Sequence, residues 1–277
     1  MRLQGMYSSP LGAILTCLTG WVMACPIPVF LRAWAYTRFA HFFGINLTEV
    51  EKALSEYSSL DDFFTRALKP EARPMGVHEK QVLSPVDAVL LASGPLQKGT
   101  LIQAKGISYA LHDLMGDSSS LFQSGYFMTF YLSPRDCHRI FSPVAGKVIR
   151  STVIPGRLFP VREPYISGFS GLYTRNARVV TILETESGRV AVVMVGAFNV
   201  GKMDVTYDPS VHSAYFSRTI RHRDYSGGDA FSPGDWLGTF HLGSTVVLVM
   251  ENEGFSPRGE LTWGTPVRYG QPIGWMA

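Results

Sequence analysis

From about Val82 to the C-terminus the apolar residues fall in short β-type runs, and this pattern constrains the fold more than any other feature. Candidate strands cover Val86–Ala92, Tyr126–Leu132, Lys147–Val153, Val179–Glu184, Val190–Val195, His212–Arg218, Gly238–His241 and Thr245–Glu251. Thr185 to Arg189 reads as a hairpin turn between two of them. A single short helix is predicted within this part, from Ser108 to Gly116. Tyr225-Ser226-Gly227-Gly228-Asp229 reads as a flexible loop. Two turn segments, at Ser142–Val148 and Ser232–Gly238, are similar to the turns of flattened barrel-sandwich domains. The expected fold class is α+β: N-terminal helices, then a mostly antiparallel β domain with barrel-sandwich-like turns.

The N-terminus is built differently. Leu11 to Leu31 carries no charge over 21 residues, about the length that spans a ~30 Å hydrocarbon core. Pro26 and Pro28 interrupt it, however, and Gly12 and Gly20 weaken it. Phe30 to Phe43 then carries Trp34, Tyr36, Phe39, Phe42 and Phe43 interleaved with Arg32, Arg38 and His41, and no acid occurs before Glu49. Aromatic, basic and acid-free segments suit helices that lie in the headgroup layer of an anionic membrane. The expectation is a membrane-anchoring helical segment over 1–45, monotopic rather than spanning, followed by a β-rich domain over 46–277. No Ala-x-Ala-like cleavage site marks a signal peptide, and nothing resembles an organelle presequence. The cytoplasmic face of a bacterial inner membrane is the expected location. Thr48 to Glu51 reads as a capping box opening a helix to about Tyr57, and Ser59 caps a second helix over Leu60 to Leu68.

Composition excludes several classes. A net charge of +3, with no basic cluster interleaved with aromatics, argues against nucleic acid as a partner. Cys17, Cys25 and Cys137 form no CxxC pair and fit a reducing compartment, with Cys137 read as an inert buried thiol. His-x-His is absent, which argues against a zinc peptidase of barrel shape, and no metal is expected. No exposed Met-Lys-Met or Asp-Lys-Ala tip marks a carrier domain.

The chemistry concentrates in three segments flanked by β runs. Asp87 follows Ser84-Pro85-Val86 at a strand entrance, His138 ends Ser133-Pro134-Arg135-Asp136-Cys137-His138, and Gly243-Ser244 precedes the apolar run Val246–Met250. Ser244 is not a nucleophile-elbow serine, because no helix pattern follows it and the Gly-x-Ser-x-Gly frame is absent. A glycine before a serine leaves the preceding carbonyl open and tolerates strained backbone. Ser244 is therefore placed to attack its own upstream peptide bond. Asp, His and Ser from separate segments are what a base-assisted serine attack requires. A serine hydrolase would use the same three residues without self-cleavage.

Six segments in order resemble the phosphatidylserine decarboxylase family over nearly the whole length. They are Phe63-Phe64-Thr65-Arg66 through Lys69-Pro70 with Arg73-Pro74; Leu83 to Asp87; Lys105-Gly106 with Leu111 to Gly116; Tyr131 to Arg139; Val195 to Gly201; and Leu242-Gly243-Ser244-Thr245. The resemblance implies that Ser244 Oγ attacks the Gly243 carbonyl, giving an ester. Loss of the Ser244 Cα proton would then expel the Gly243 carboxylate, and hydrolysis with loss of ammonia would leave a pyruvoyl group. That group would cap a fragment of 34 residues (277 − 243), with 1–243 remaining associated. The expected partners are phosphatidylserine and an anionic membrane surface, and a homodimer is compatible with the resemblance. The pyruvoyl ketone would supply the electron sink that decarboxylation to phosphatidylethanolamine needs.

Two positions depart from the family pattern. Ala88 stands where the family usually has glycine. Phe141 stands where the family places a second histidine after His138-Arg139, the one the resemblance assigns to the relay with Asp87 and Ser244. His138 is the nearest substitute, and His241, three residues before Ser244, is the alternative. In an extended strand an odd offset turns His241 away from Ser244. His212 and His222 read as surface or structural residues.

Overall fold

The computed structural model describes residues 18–76, 80–96, 99–104, 107–161, 165–168, 170–197, 202–213, 219–241, 245–259 and 261–277. Its main sheet holds, along one path, β11 (Arg221–Asp224), β7 (Gly146–Ile154), β8 (Arg178–Thr185), β9 (Gly188–Val195), β14 (Thr245–Met250), β5 (Tyr126–Tyr131), β2 (Ala88–Pro95) and β16 (Pro266–Val267). A ninth strand, β12 (Ala230–Phe231), pairs with β7. Two three-stranded sheets flank it: β10 (Lys202–Val205), β13 (Trp236–His241) and β6 (Arg139–Phe141); and β1 (Gln81–Leu83), β17 (Pro272–Trp275) and β15 (Ser256–Pro257). A two-stranded ribbon, β3 (Thr100–Ala104) with β4 (Ile107–Ala110), completes the set. Every strand pairing is antiparallel.

The centre of the main sheet explains the apolar runs seen in the sequence. All six residues of β14 are buried, and Val246 to Met250 are inaccessible to solvent. A strand covered on both faces reads as continuous hydrophobic sequence, not as alternation. Thr245 sits in register opposite Tyr131 of β5 and Val195 of β9, so β14 is hydrogen-bonded along both edges. The β8–β9 hairpin closes with Thr185 opposite Gly188, as the sequence predicts.

Of the apolar run expected over 11–31, residues 11–17 lie outside the described residues. Residues 18–24 are helical, Cys25 to Pro28 break the run, and α1 (Val29–Phe43) follows. Pro28 lies at the α1 N-cap, and Gly44 ends the helix in the left-handed region (φ 75°), its N–H bonding Ala40 O. No helix among the described residues is long and apolar enough to cross a membrane. The buried face of α1, with Tyr36 and Ala40, packs on Ile45, Val50, Tyr57 and Phe63, and Tyr36 stacks on Phe63 at 5.0 Å. This cluster joins residues on both sides of the boundary expected at 45.

Several local expectations are corrected. The helix expected over 48–57 is two 3₁₀ turns, Leu47–Glu49 and Leu54–Glu56, because Val50 instead bridges to Leu68 as extended backbone. The cap at the first turn is Asn46, whose side chain accepts from the Thr48 N–H. The Leu60–Leu68 helix is shortened to α2 (Leu60–Phe64), capped by Ser59 as predicted. The helix expected from Ser108 spans Leu111–Met115 (α3), since Ile107–Ala110 pairs with β3. Of the strand expected over 212–218, His212 forms only a bridge to Asp204, and 214–218 lie outside the described residues. Replacing Phe63 by alanine is expected to lower stability to urea by about 3–5 kcal/mol, as for other buried Phe-to-Ala changes.

Candidate active site

Gly243 and Ser244 lie outside the described residues, as does Leu242, but both flanks are placed. His241 ends β13 in the three-stranded sheet, and Thr245 begins β14 at the centre of the main sheet. Residues 242–244 therefore join one sheet to another. Gly238 lets β13 run close to β10, since a Cβ there would lie 2.7 Å from Asp204 O.

His138 is fully buried beside β13. The Phe240 N–H donates to His138 O at 2.9 Å, four residues ahead of Ser244. Its Nδ1 lies 2.9 Å from Asp136 O, and since a carbonyl only accepts, that nitrogen carries the proton. Nε2 is left as a bare lone pair, buried and without a partner. Phe64 covers the ring at 4.0 Å. Burial, then the nearby Arg66 guanidinium, pulls the pKa down to about 3, partly offset by the bond to Asp136 O. The ring is thus a neutral acceptor. Thr245 Oγ1, next to Ser244 in the chain, is likewise buried and unpartnered.

Asp87 is also buried. Arg73 donates Nε to Oδ1 at 2.9 Å and an Nη to Oδ2 at 2.5 Å, and the Tyr269 N–H donates to Oδ1 at 2.9 Å. The same Arg73 reaches Glu49 at 3.0 Å. No hydrogen bond joins Asp87 to His138, but Asp87 lines one pocket with Asp136 and Cys137, the two residues before His138. Phe141 stacks on Tyr269 at 4.0 Å and 19°. At the family's second-histidine position there is an aromatic packing contact, and the neighbouring acid is neutralised by an arginine. Ala88 opens β2, and Lys80 is the only non-glycine among the described residues with positive φ, so a side chain at 88 is accommodated.

His241 is held between two carboxylates: Nδ1 lies 2.8 Å from Asp61 Oδ2, and Nε2 2.9 Å from Asp204 Oδ2. A cleft of about 520 Å³ opens beside it, lined also by Thr65, Arg139, Trp236 and Thr239. Asp61 and Asp204 escaped the sequence reading because each lies far from His241 along the chain. Asp61 falls in the first turn after the Ser59 cap, and Asp204 belongs to no expected strand or motif. Arg73 appeared there only as part of a motif. Cys137 is buried, its thiol pushed up to about 11 chiefly by burial, which fits an inert thiol. Asp136 is half-buried, and its Oδ2 accepts from the Ser133 N–H and hydroxyl, both at 2.7 Å. His212 and His222 stay apart, and the described residues hold no cluster suited to a metal.

Residues 60–275 match the family model described as phosphatidylserine decarboxylase. The chain belongs to the phosphatidylserine decarboxylase family. A "phosphatidylserine decarboxylase proenzyme" of Nitrosococcus oceani is 40% identical over 252 residues, covering 89% of this chain and 82% of that protein. Proteins of the same name from Anaeromyxobacter sp. and Brevibacillus brevis are 39% and 38% identical, covering 94% and 86% of this chain and 92% and 84% of theirs. Within this family member, the α2 segment and the motif around His138 lie inside the matched region.

Two measurements check the site. Arg73→Met leaves a buried carboxylate without its cation and should destabilise the protein by about 3–5 kcal/mol in urea unfolding. His138 works in the acid range. Its folded pKa lies below the unfolded value, so its contribution is complete above about 6.5 and is lost as pH falls from there toward about 3. Unfolding followed between pH 7 and 4 should show that acid loss, and His138→Gln should reduce its slope.

Proposed function

We propose that the chain is a proenzyme that cuts itself between Gly243 and Ser244, and that the pyruvoyl group made from Ser244 decarboxylates phosphatidylserine to phosphatidylethanolamine. The observation that carries this reading is the placement of β14. A strand hydrogen-bonded on both edges and fully buried stays in place when the chain is cut just ahead of it. Each of Val246 to Met250 contributes about 1.5–3 kcal/mol of burial, which holds the 34-residue piece on the rest. Ile273 and Val267, in the same piece, add to that hold.

The described residues suit the group. Thr245 would keep it at the head of β14, and His138 offers an unpartnered acceptor in a dry setting. When present, the pyruvoyl ketone supplies the electron sink for loss of CO2. The protein fixes the strand that carries it, excludes water from His138, and keeps that ring uncharged. A neutral imidazole with a free Nε2 accepts a hydrogen bond from a hydroxyl or ammonium presented to it, and burial keeps the ring uncharged while it does so.

The membrane side is supported by exposed apolar residues. Among the described residues, eight of the thirteen large exposed hydrophobics lie between Leu18 and Phe42, which concentrates them on one region. On α1 they are Val29, Phe30, Leu31, Trp34 and Phe42, with exposed Arg38 among them, and all but Val29 at the helix start turn away from the face of Tyr36 and Ala40. That suits docking on an anionic bilayer, such as the cytoplasmic face of a bacterial inner membrane.

Intact mass of the purified protein tests the cut. Wild type should give two pieces, 1–243 and a blocked 244–277, whereas Ser244→Ala should give one full-length, inactive chain. Splitting in that variant would overturn the assignment. Phe30→Glu with Trp34→Glu alters only exposed positions and should weaken flotation with phosphatidylglycerol-containing vesicles about tenfold or more. Unchanged flotation would place the anchor elsewhere.

A further inference from the structure

His241 stands three residues ahead of Ser244, where the sequence offers it only as an alternative base for the cut. Its two ring nitrogens face acceptors that belong to different elements, Asp61 on α2 and Asp204 on β10. A neutral imidazole has one N–H and one lone pair, and a lone pair facing a carboxylate is repelled. With a carboxylate on each side, both nitrogens donate, and the ring is an imidazolium. Burial works against that charge, but the bonds to Asp204 and Asp61 outweigh it and raise the ring above the ordinary histidine range. Lys202 on β10, 3.2 Å from Asp204, and Arg139 on β6 in the same cleft are the cations on the elements facing it. Asp204 is held below the usual carboxylate range, burial being outweighed by its bonds to His241 and Lys202.

We propose that Asp61, His241 and Asp204 form a charged clamp that positions the end of β13 for self-cleavage, with His241 acting as a cation and not as the proton acceptor. This rests on the reading that the chain cuts itself at Gly243-Ser244. The attack of a serine hydroxyl on the carbonyl just before it tolerates little misplacement. The upstream side of that junction hangs from β13, whose last residue is His241. Charge-assisted bonds on both faces of the ring, about twice as strong as neutral ones, pin that residue to α2 and β10 together. The clamp makes His241 a positioning residue.

The sign of the pH dependence separates a clamp from a base. A group whose folded pKa is raised contributes fully below the unfolded value, about 6.5, and its contribution disappears as pH rises through the folded pKa. A base works in the opposite direction. Full-length chain made by cell-free translation would be followed on denaturing gels between pH 6 and 9. Wild-type splitting should decline on the alkaline side. His241→Gln should split about tenfold more slowly or worse, the rate equivalent of one lost charge-assisted hydrogen bond. His241→Arg, a permanent cation able to bond both carboxylates, should recover most of the rate and lose the alkaline decline. Asp61→Asn or Asp204→Asn should move the decline to lower pH. Thermal melting of each variant within a few degrees of wild type excludes simple unfolding as the cause. Splitting that climbs with pH in wild type and is abolished by His241→Arg would make His241 the base and overturn the proposal. So would a His241→Gln chain that splits at the wild-type rate. A wild-type chain that stays whole would overturn the self-cleavage reading and the clamp together, whereas a wild type that splits beside unaffected variants overturns the clamp alone.

Discussion

Everything in this molecule is arranged around the double pairing of β14. Its six residues meet β5 on one edge and β9 on the other in unbroken register, and no side chain in it reaches water. Buried backbone amides must be paired, so a strand in this position cannot slip without losing bonds on both sides at once. Whatever chemistry occurs at residues 242–244 occurs at the head of this strand. Its upstream neighbour in the chain, β13, is the central strand of a separate sheet of three.

The junction therefore joins the central strands of two sheets, and the side chains around its upstream end set the alignment. Asp87 is engaged by Arg73 and Tyr269, and Phe141 stacks against that tyrosine. The acid and the aromatic position remain neighbours through Tyr269, but they now form a packed, charge-neutral corner. His138 keeps its place beside Phe240 with a free nitrogen. Two histidines thus meet at β13 in opposite states: His138 beside the strand, dry and uncharged, and His241 at its end, held charged between acids. Environments that push like groups apart in pKa separate their roles.

The sequence made the β architecture legible wherever burial was continuous, as in β8, β9 and β14, and where a turn imposed its own chemistry, as at Thr185–Arg189. It failed where tertiary pairing overrode local preference. Thr48 to Tyr57 looks helical in isolation, but Val50 pairs with Leu68 and leaves only two single turns. The strands β1, β6 and β10 are three or four residues long, too short for alternation to register. At the site, motif positions located His138, Asp87 and the Gly243-Ser244 junction. Their partners could not be read, because Arg73, Tyr269, Asp61 and Asp204 meet them only through long-range folding.

One short element connects these pieces. Phe63 of α2 lies under Tyr36 of α1, Phe64 of the same turn covers the His138 ring, and Asp61 holds His241. Five residues of helix span only ~7.5 Å. Such a strut leaves little slack: the height of both imidazoles above the outward side of α1 becomes a fixed dimension of the protein, set by side chains in van der Waals contact and not by a hinge. Any molecule resting against that outward side would therefore present its parts to the two rings at a constant elevation.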